Sequence, residues 1–159
     1  MQSHSPFPSP FLIQRVDDAA SLHTVQHLRW RVFGLELRLL NRAQVPFERD
    51  ISPFDYLETT LHLLLWSGSE PVSAVSLLLP ARHRAPEQGG YLGLELEQEA
   101  ELVHPLRNEK LAQVIRLCVL PEHRGTTAAL CLYAGLYQLS VRHGISAWIA
   151  GVNCHTNEA

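Results

Sequence analysis

The run Leu-Cys-Val-Leu-Pro-Glu-His-Arg-Gly-Thr-Thr-Ala-Ala at residues 117–129 constrains the fold more than any other part of the chain. An apolar, β-branched stretch over 114–119 reads as a strand and meets a turn that holds Pro121 and Gly125. Small residues then open a helix expected over 126–142, with Leu130, Leu132, Leu136, Leu139 and Val141 among its apolar members. Gly144 stops that helix, and residues 145–150 read as another strand. A turn of this kind presents several backbone N–H groups at a helix N-terminus, where the dipole favours an anion. Small side chains let a phosphate approach the backbone, and Arg124 can add a charge-assisted contact. The same residues also suit an ordinary strand-to-helix turn in which Gly125 only eases the backbone.

The first half of the chain supplies further sheet. Residues 11–16 have strand character, and Asp17 or Asp18 can cap a helix. Leu22, Val25, Leu28, Val32 and Phe33 follow at spacings of three and four, which makes an amphipathic helix ending near Leu37. Residues 41–54 read as a long loop. A hairpin follows, with strands over 60–66 and 72–79 around a turn at 67–71. Residues 81–90 form a polar loop. Between 91 and 110 the pattern fits no single element; its Glu-rich part suits a short helix that Pro105 would break. A hairpin joined to a strand–helix–strand unit gives an α/β fold, a mixed and mostly antiparallel sheet with helices on its faces. The length of 159 residues suits one domain, expected over 11–159 behind a solvated tail at 1–10.

Composition excludes several classes of function. The formal net charge of -3 gives no reason to expect nucleic acid or an anionic membrane as partner. No apolar run approaches the ~20 residues of a membrane span. The Ser- and Pro-rich start lacks the basic segment of a signal peptide. Cys118, Cys131 and Cys154 are odd in number and show no CxxC spacing, so reduced thiols in a cytoplasmic protein are expected. The nine histidines form no HExxH-like ligand pair, and no metal is expected. His62, in an apolar strand, is expected to be a satisfied core histidine.

Val119, Pro121, Arg124 and Gly125 form a Val-x-Pro-x-x-Arg-Gly pattern that resembles the acyl-CoA-binding motif of the GNAT N-acyltransferases. His27-Leu-Arg-Trp-Arg-Val-Phe33 resembles the Arg-Tyr-Arg-Val-Phe helix of one branch of that superfamily. The branch comprises acyl-homoserine-lactone synthases, N-acyl amino acid synthases and ornithine-lipid acyltransferases. Glu48-Arg-Asp-Ile-Ser-Pro-Phe-Asp55 resembles its acidic loop, residues 60–65 and 71–80 its hairpin, and 114–119 its Glu-x-Ser-Arg-Leu-x-Val strand. The likeness runs discontinuously from about Leu28 to Ala150.

The resemblance implies a donor and an acceptor site. In the family one strand splays from its neighbour and pairs with pantetheine, so Leu117, Cys118 and Val119 would line the donor arm. Arg124, Gly125, Thr126, Thr127, Ala128 and Ala129 would form the turn that holds its phosphates. The donor would be an acyl-CoA or an acyl-carrier-protein (ACP) phosphopantetheine thioester, with the acyl carrier protein a partner in the second case. The acceptor would be the amine of a small, amino-acid-like molecule. Arg31 or Arg116 would pair with its carboxylate, and Asp50 or Asp55 would hold the amine and take its proton directly or through water. A strand N–H would serve the oxyanion.

The pattern departs from the family at Thr127, where a glycine is usual, at Gln113, where the branch has glutamate, and at Ser76, where it tends to have arginine. The last expected strand is followed by only nine residues, so the C-terminal helix and strands of a full GNAT domain are expected to be missing. An oligomer is left open. An acetyl-CoA-dependent N-acetyltransferase and a non-catalytic GNAT-like binding module are the competing readings.

Overall fold

The computed structural model describes residues 10–40, 45–81, 92–98 and 110–151. Residues 1–9 of the expected tail, the expected loop beyond Ala81, Pro105, Cys154 and the end of the chain lie outside them. The described chain runs β1 (Phe11–Val16), α1 (Ala19–Arg29), β2 (Thr60–Ser67), β3 (Glu70–Leu78), β4 (Leu111–Val119), α2 (Ala128–Arg142) and β5 (Ala147–Ile149). The five strands form one sheet in chain order; β1 to β4 are antiparallel neighbours, and β5 lies parallel to β4. This is the mixed, mostly antiparallel sheet with flanking helices that the sequence predicts.

Boundaries move where local chemistry decides them. Asp18, not Asp17, caps α1, its Oδ1 accepting from Ser21 N–H at 2.8 Å. The hairpin turn contracts to Gly68 and Ser69, with Gly68 at φ +59° as a tight connection requires. α2 starts at Ala128 rather than Thr126, and β5 is three residues long instead of six. In α2, Leu132, Leu136 and Leu139 are buried, whereas Leu130 and Val141 lie on the exposed face.

The expected helix beyond Arg29 exists, but Trp30–Glu36 is π-helical. Leu37 N–H reaches back five residues to the Val32 carbonyl at 2.9 Å. Gly34 allows the wider turn, because the Trp30 indole lies where a Cβ on Gly34 would stand, 2.0 Å from Trp30 Cε3.

Two cores sandwich the sheet. Val25, Leu28 and Val32 pack on Leu64, Ala74, Cys118 and Leu120 on one face. On the other, Leu132, Leu136 and Leu139 pack on Leu61, Leu63, Leu65, Val75 and Leu77. Gly135 brings α2 close to that face, since a Cβ there would sit 2.9 Å from Leu63 Cδ1. A third cluster joins Leu92 and Leu94 to Leu78 and Leu111, and holds the short 3-10 turn Glu95–Gln98 against the start of β4.

Candidate functional site

β4 and β5 pair only at their beginnings, through Leu111 with Ala147, Ala112 with Trp148 and Gln113 with Ile149. Past Gln113, β4 pairs with β3 alone, so its other edge from 114 to 119 is open among the described residues. A bulge lies in the same half. Ala74 faces Cys118 and Ser76 faces Ile115, so two steps on β3 oppose three on β4. Arg116 absorbs the extra residue at φ +54°, a left-handed conformation rare outside glycine.

The open edge leads directly into the turn at 120–127. Pro121–His123 forms one 3-10 turn, and Gly125 takes φ +76° with free space where a Cβ would stand. Thr126 Oγ1 accepts from Ala128 N–H at 3.2 Å, and α2 has no side-chain cap on Thr127. Among the described residues, the N–H groups of Gly125, Thr127, Ala129 and Leu130 make no backbone bond. The turn therefore presents free donors at the positive end of a 15-residue helix. Arg124 does not lie free over it. Its Nη1 and Nη2 donate to Glu36 at 2.5 and 2.6 Å, and its Nε donates to the Val119 carbonyl at 3.1 Å.

A polar cluster lies on the α1 face beside the bulge. Arg116 Nη1 donates to Asp50 Oδ2 at 3.3 Å and Nη2 to Glu95 Oε1 at 3.0 Å, while its buried Nε finds no partner. The structure thus pairs Arg116 and Asp50 with each other, where the sequence reading assigned them separately to the two ends of an acceptor. Asp50 is tied back to α1 through its N–H, which donates to the Gln26 carbonyl at 3.0 Å.

Asp55 belongs to a deeper, closed network. It forms a capping box with Ser52, accepts from Arg29 Nη2 at 2.8 Å and Gln26 Nε2 at 3.1 Å, and is fully buried with Arg29. Arg29 is the buried arginine of the helix. Arg31 is over a third exposed and stands 3.8 Å from Glu122, in the turn that follows β4. Arg29 could have been found from its spacing: it follows Val25 by four residues and Leu28 by one, inside the apolar stripe.

His62 is satisfied and buried. Nε2 faces the Asp55 carbonyl at 3.1 Å, so it must carry the proton, and Nδ1 then accepts from the Ser76 hydroxyl at 2.7 Å. Burial, chiefly, pushes its pKa below the ordinary value. Gln113 accepts the Leu96 N–H through Oε1 at 3.1 Å, pinning the Glu95–Gln98 turn beside Arg116. Neither this pin nor Glu95 and Glu36 was legible in the sequence. Cys118 is buried toward α1 and its thiol is pushed up to about 12 by desolvation, whereas Leu117 packs on the α2 side. Among the described residues, no group of three or more His, Cys, Asp or Glu side chains can hold a metal, and no helix is long and apolar enough to cross a membrane.

The same architecture occurs in solved structures. FeeM, an N-acyl amino acid synthase from uncultured soil microbes, superimposes with a TM-score of 0.69 at 11% identity, over 91% of this chain and 72% of its own. The acyl-homoserine lactone synthase BjaI gives 0.63 at 19% identity, over 88% of this chain and 65% of its own. An aminoglycoside acetyltransferase from an uncultured soil metagenomic sample gives 0.59 at 15% identity, over 92% and 82%. No curated protein matches the chain significantly in sequence. Residues 28–134 match the acetyltransferase (GNAT) domain, a span that takes in the last two residues of α1, the π-helical segment, the acidic loop, the hairpin, the bulged strand, the turn after it and the start of α2. The chain belongs to the GNAT acetyltransferase-domain family.

Proposed function

We propose that this protein is an N-acyltransferase that moves an acyl group, a fatty acyl group in the reading favoured here, from an acyl-CoA or acyl-ACP thioester to the amine of an amino-acid-like molecule. The observation that carries the proposal is the open edge of β4 at 114–119, running from the Asp50–Arg116 pair to the unsatisfied N–H groups of the turn at 125–130. A pantetheine arm is an extended chain with two amides, and an unpaired strand edge offers it backbone partners. Its phosphates then fall at the α2 N-terminus.

In this reading the acceptor amine attacks the thioester carbonyl carbon beside the bulge. The C–N bond forms, the tetrahedral oxyanion takes a hydrogen bond from a β4 N–H, and the C–S bond then breaks. The amine proton passes to Asp50, directly or through water, and the departing thiolate is protonated as it leaves. Arg116 holds Asp50, and takes an acceptor carboxylate only by exchanging Glu95 for it. Asp55 and Arg29 support that geometry from beneath. Leu117, Cys118 and Val119 act through their backbone, since the Cys118 side chain faces the core.

A second reading, an acetyl-CoA-dependent N-acetyltransferase, has the support of the aminoglycoside acetyltransferase fold shared over 92% of this chain. Acetyl-CoA, long-chain acyl-CoA and long-chain acyl-ACP, each offered with a panel of amino acids and aminoglycosides, separate the two by the mass of the amide formed. Long-chain amides of amino acids are expected. Acetylation alone would select the second reading, and no amide from a folded protein would overturn both.

A further inference from the structure

Glu36 and Arg124 stand 88 positions apart in sequence and meet as a two-bond fork, Nη1 to Oε1 and Nη2 to Oε2. Each end sits at a strategic point. Glu36 is the last residue of the π-helical segment, and Arg124 opens the turn whose N–H groups face outward. Arg124 Nε also occupies the carbonyl of Val119, the last residue of β4, at 3.1 Å. Three of the five guanidinium N–H groups are thus committed within the protein, and a carboxylate cancels the charge that would draw a phosphate. Glu122 adds a second negative charge near Arg124 and stands 3.8 Å from Arg31, so the rim of the turn is balanced rather than basic.

We propose that Glu36 is a latch on the donor site: it and the diphosphate of a CoA donor compete for the Arg124 guanidinium, and donor binding exchanges the carboxylate for phosphate. The inference rests on the reading that the turn before α2 receives a phosphate-bearing donor. The π-helical turn has a reason in this scheme, because it widens the end of the helix that delivers Glu36 to Arg124. The exchange also releases the Val119 carbonyl at the end of the open edge, so phosphate and pantetheine contacts form together. The pair is only partly exposed, 43% for Arg124 and 30% for Glu36, and the turn can reach it without the core moving.

The test is a calorimetric titration of CoA, and of phosphate-free pantetheine, into the wild type and the variants Glu36→Gln, Glu36→Asp, Arg124→Met and Glu36→Gln/Arg124→Met. Glu36→Gln is expected to tighten CoA by about two- to fivefold, the worth of a partly exposed ion pair, and to leave pantetheine unchanged. Glu36→Asp keeps the charge but shortens the fork and should move in the same direction. Arg124→Met should weaken CoA, and adding Glu36→Gln to it should change nothing further. Weaker or unchanged CoA binding in Glu36→Gln would overturn the latch and make Glu36 a brace. A gain that persists without Arg124 would overturn it in favour of distant charge repulsion. A wild type that binds no CoA would overturn the latch and the CoA donor together, and would leave acyl-ACP as the donor for the amide assay to test.

Discussion

Asp55 and Arg29 form an ion pair wholly out of water, Oδ1 to Nη2 at 2.8 Å with neither side chain exposed. The carboxylate is well served, also accepting from Gln26 and the Ser52 N–H, but Arg29 Nε and Nη1 have no partner. Such a pair adds little net stability and is costly to break. Asp55→Asn should therefore lower unfolding stability by about 3–5 kcal/mol, read from urea denaturation with an unchanged slope. A loss below about 1 kcal/mol would show that water reaches the guanidinium.

Gly34→Ala tests the π-helical segment. A methyl group there would stand 2.0 Å from Trp30 Cε3, so either the indole or the helix must shift. The expected cost is about 1–3 kcal/mol, with a changed near-ultraviolet dichroism from Trp30. Wild-type stability and spectrum would mean that the indole is not seated on Gly34.

His62 sets a pH dependence of stability. Its folded pKa lies below its ordinary 6.5, so the unfolded chain binds more protons as pH falls through that value. The stability is full above about pH 6.5 and is lost progressively as pH falls toward the folded pKa. Asp18 and Glu36, held below their ordinary 3.8 and 4.5 mainly by bonds from Ser21 and Arg124, act only in a lower window. Melting temperatures between pH 5 and 8 should decline on the acid side in the wild type and decline less in His62→Asn. Equal slopes would remove His62 as the cause.

The cysteines should differ in reactivity. Cys118 is buried with its thiol pushed up to about 12, while Cys131 is half-buried. Thiolate is the reactive form. Mass mapping after brief alkylation of the native protein should find Cys118 unmodified until denaturant is added. Early modification of Cys118 would contradict its packing against α1.

Asp50→Asn separates chemistry from binding. If Asp50 receives the amine proton, kcat should fall by about 10²-fold or more, with little change in donor affinity. A loss confined to donor binding would exclude that role.

The sequence disclosed most of the elements and their order along the chain because its periodicities are local: Leu63, Leu65, Val75 and Leu77 alternate, and Leu132, Leu136 and Leu139 recur at helical spacing. The polar cluster beside the bulge was less legible. Asp50 and Arg116 could be named from their pattern, yet their pairing depends on a loop folding 66 positions back onto β4. Arg29 and Arg31 look alike in a string, and only their spacing from the apolar stripe of Val25 and Leu28 separates the buried guanidinium from the exposed one. The left-handed Arg116 was invisible for another reason: in VIRLCV nothing like a glycine marks the bulge, and tertiary pairing imposes it.

That bulge divides β4 into two halves of opposite parity. Gln113 and Ile115 face the α1 side with Leu78 and Ser76, but beyond Arg116 it is Cys118 that faces that side with Ala74. Odd-numbered residues point one way in the first half and even-numbered ones in the second. Removing the extra residue, Arg116, would let Ile115, Leu117 and Cys118 alternate as a regular strand, so both halves would keep their faces and their partners on β3 while the bulge was lost. A substitution leaves both halves aimed correctly. The bulge therefore decides where the Arg116 guanidinium stands, not which way the rest of the strand faces.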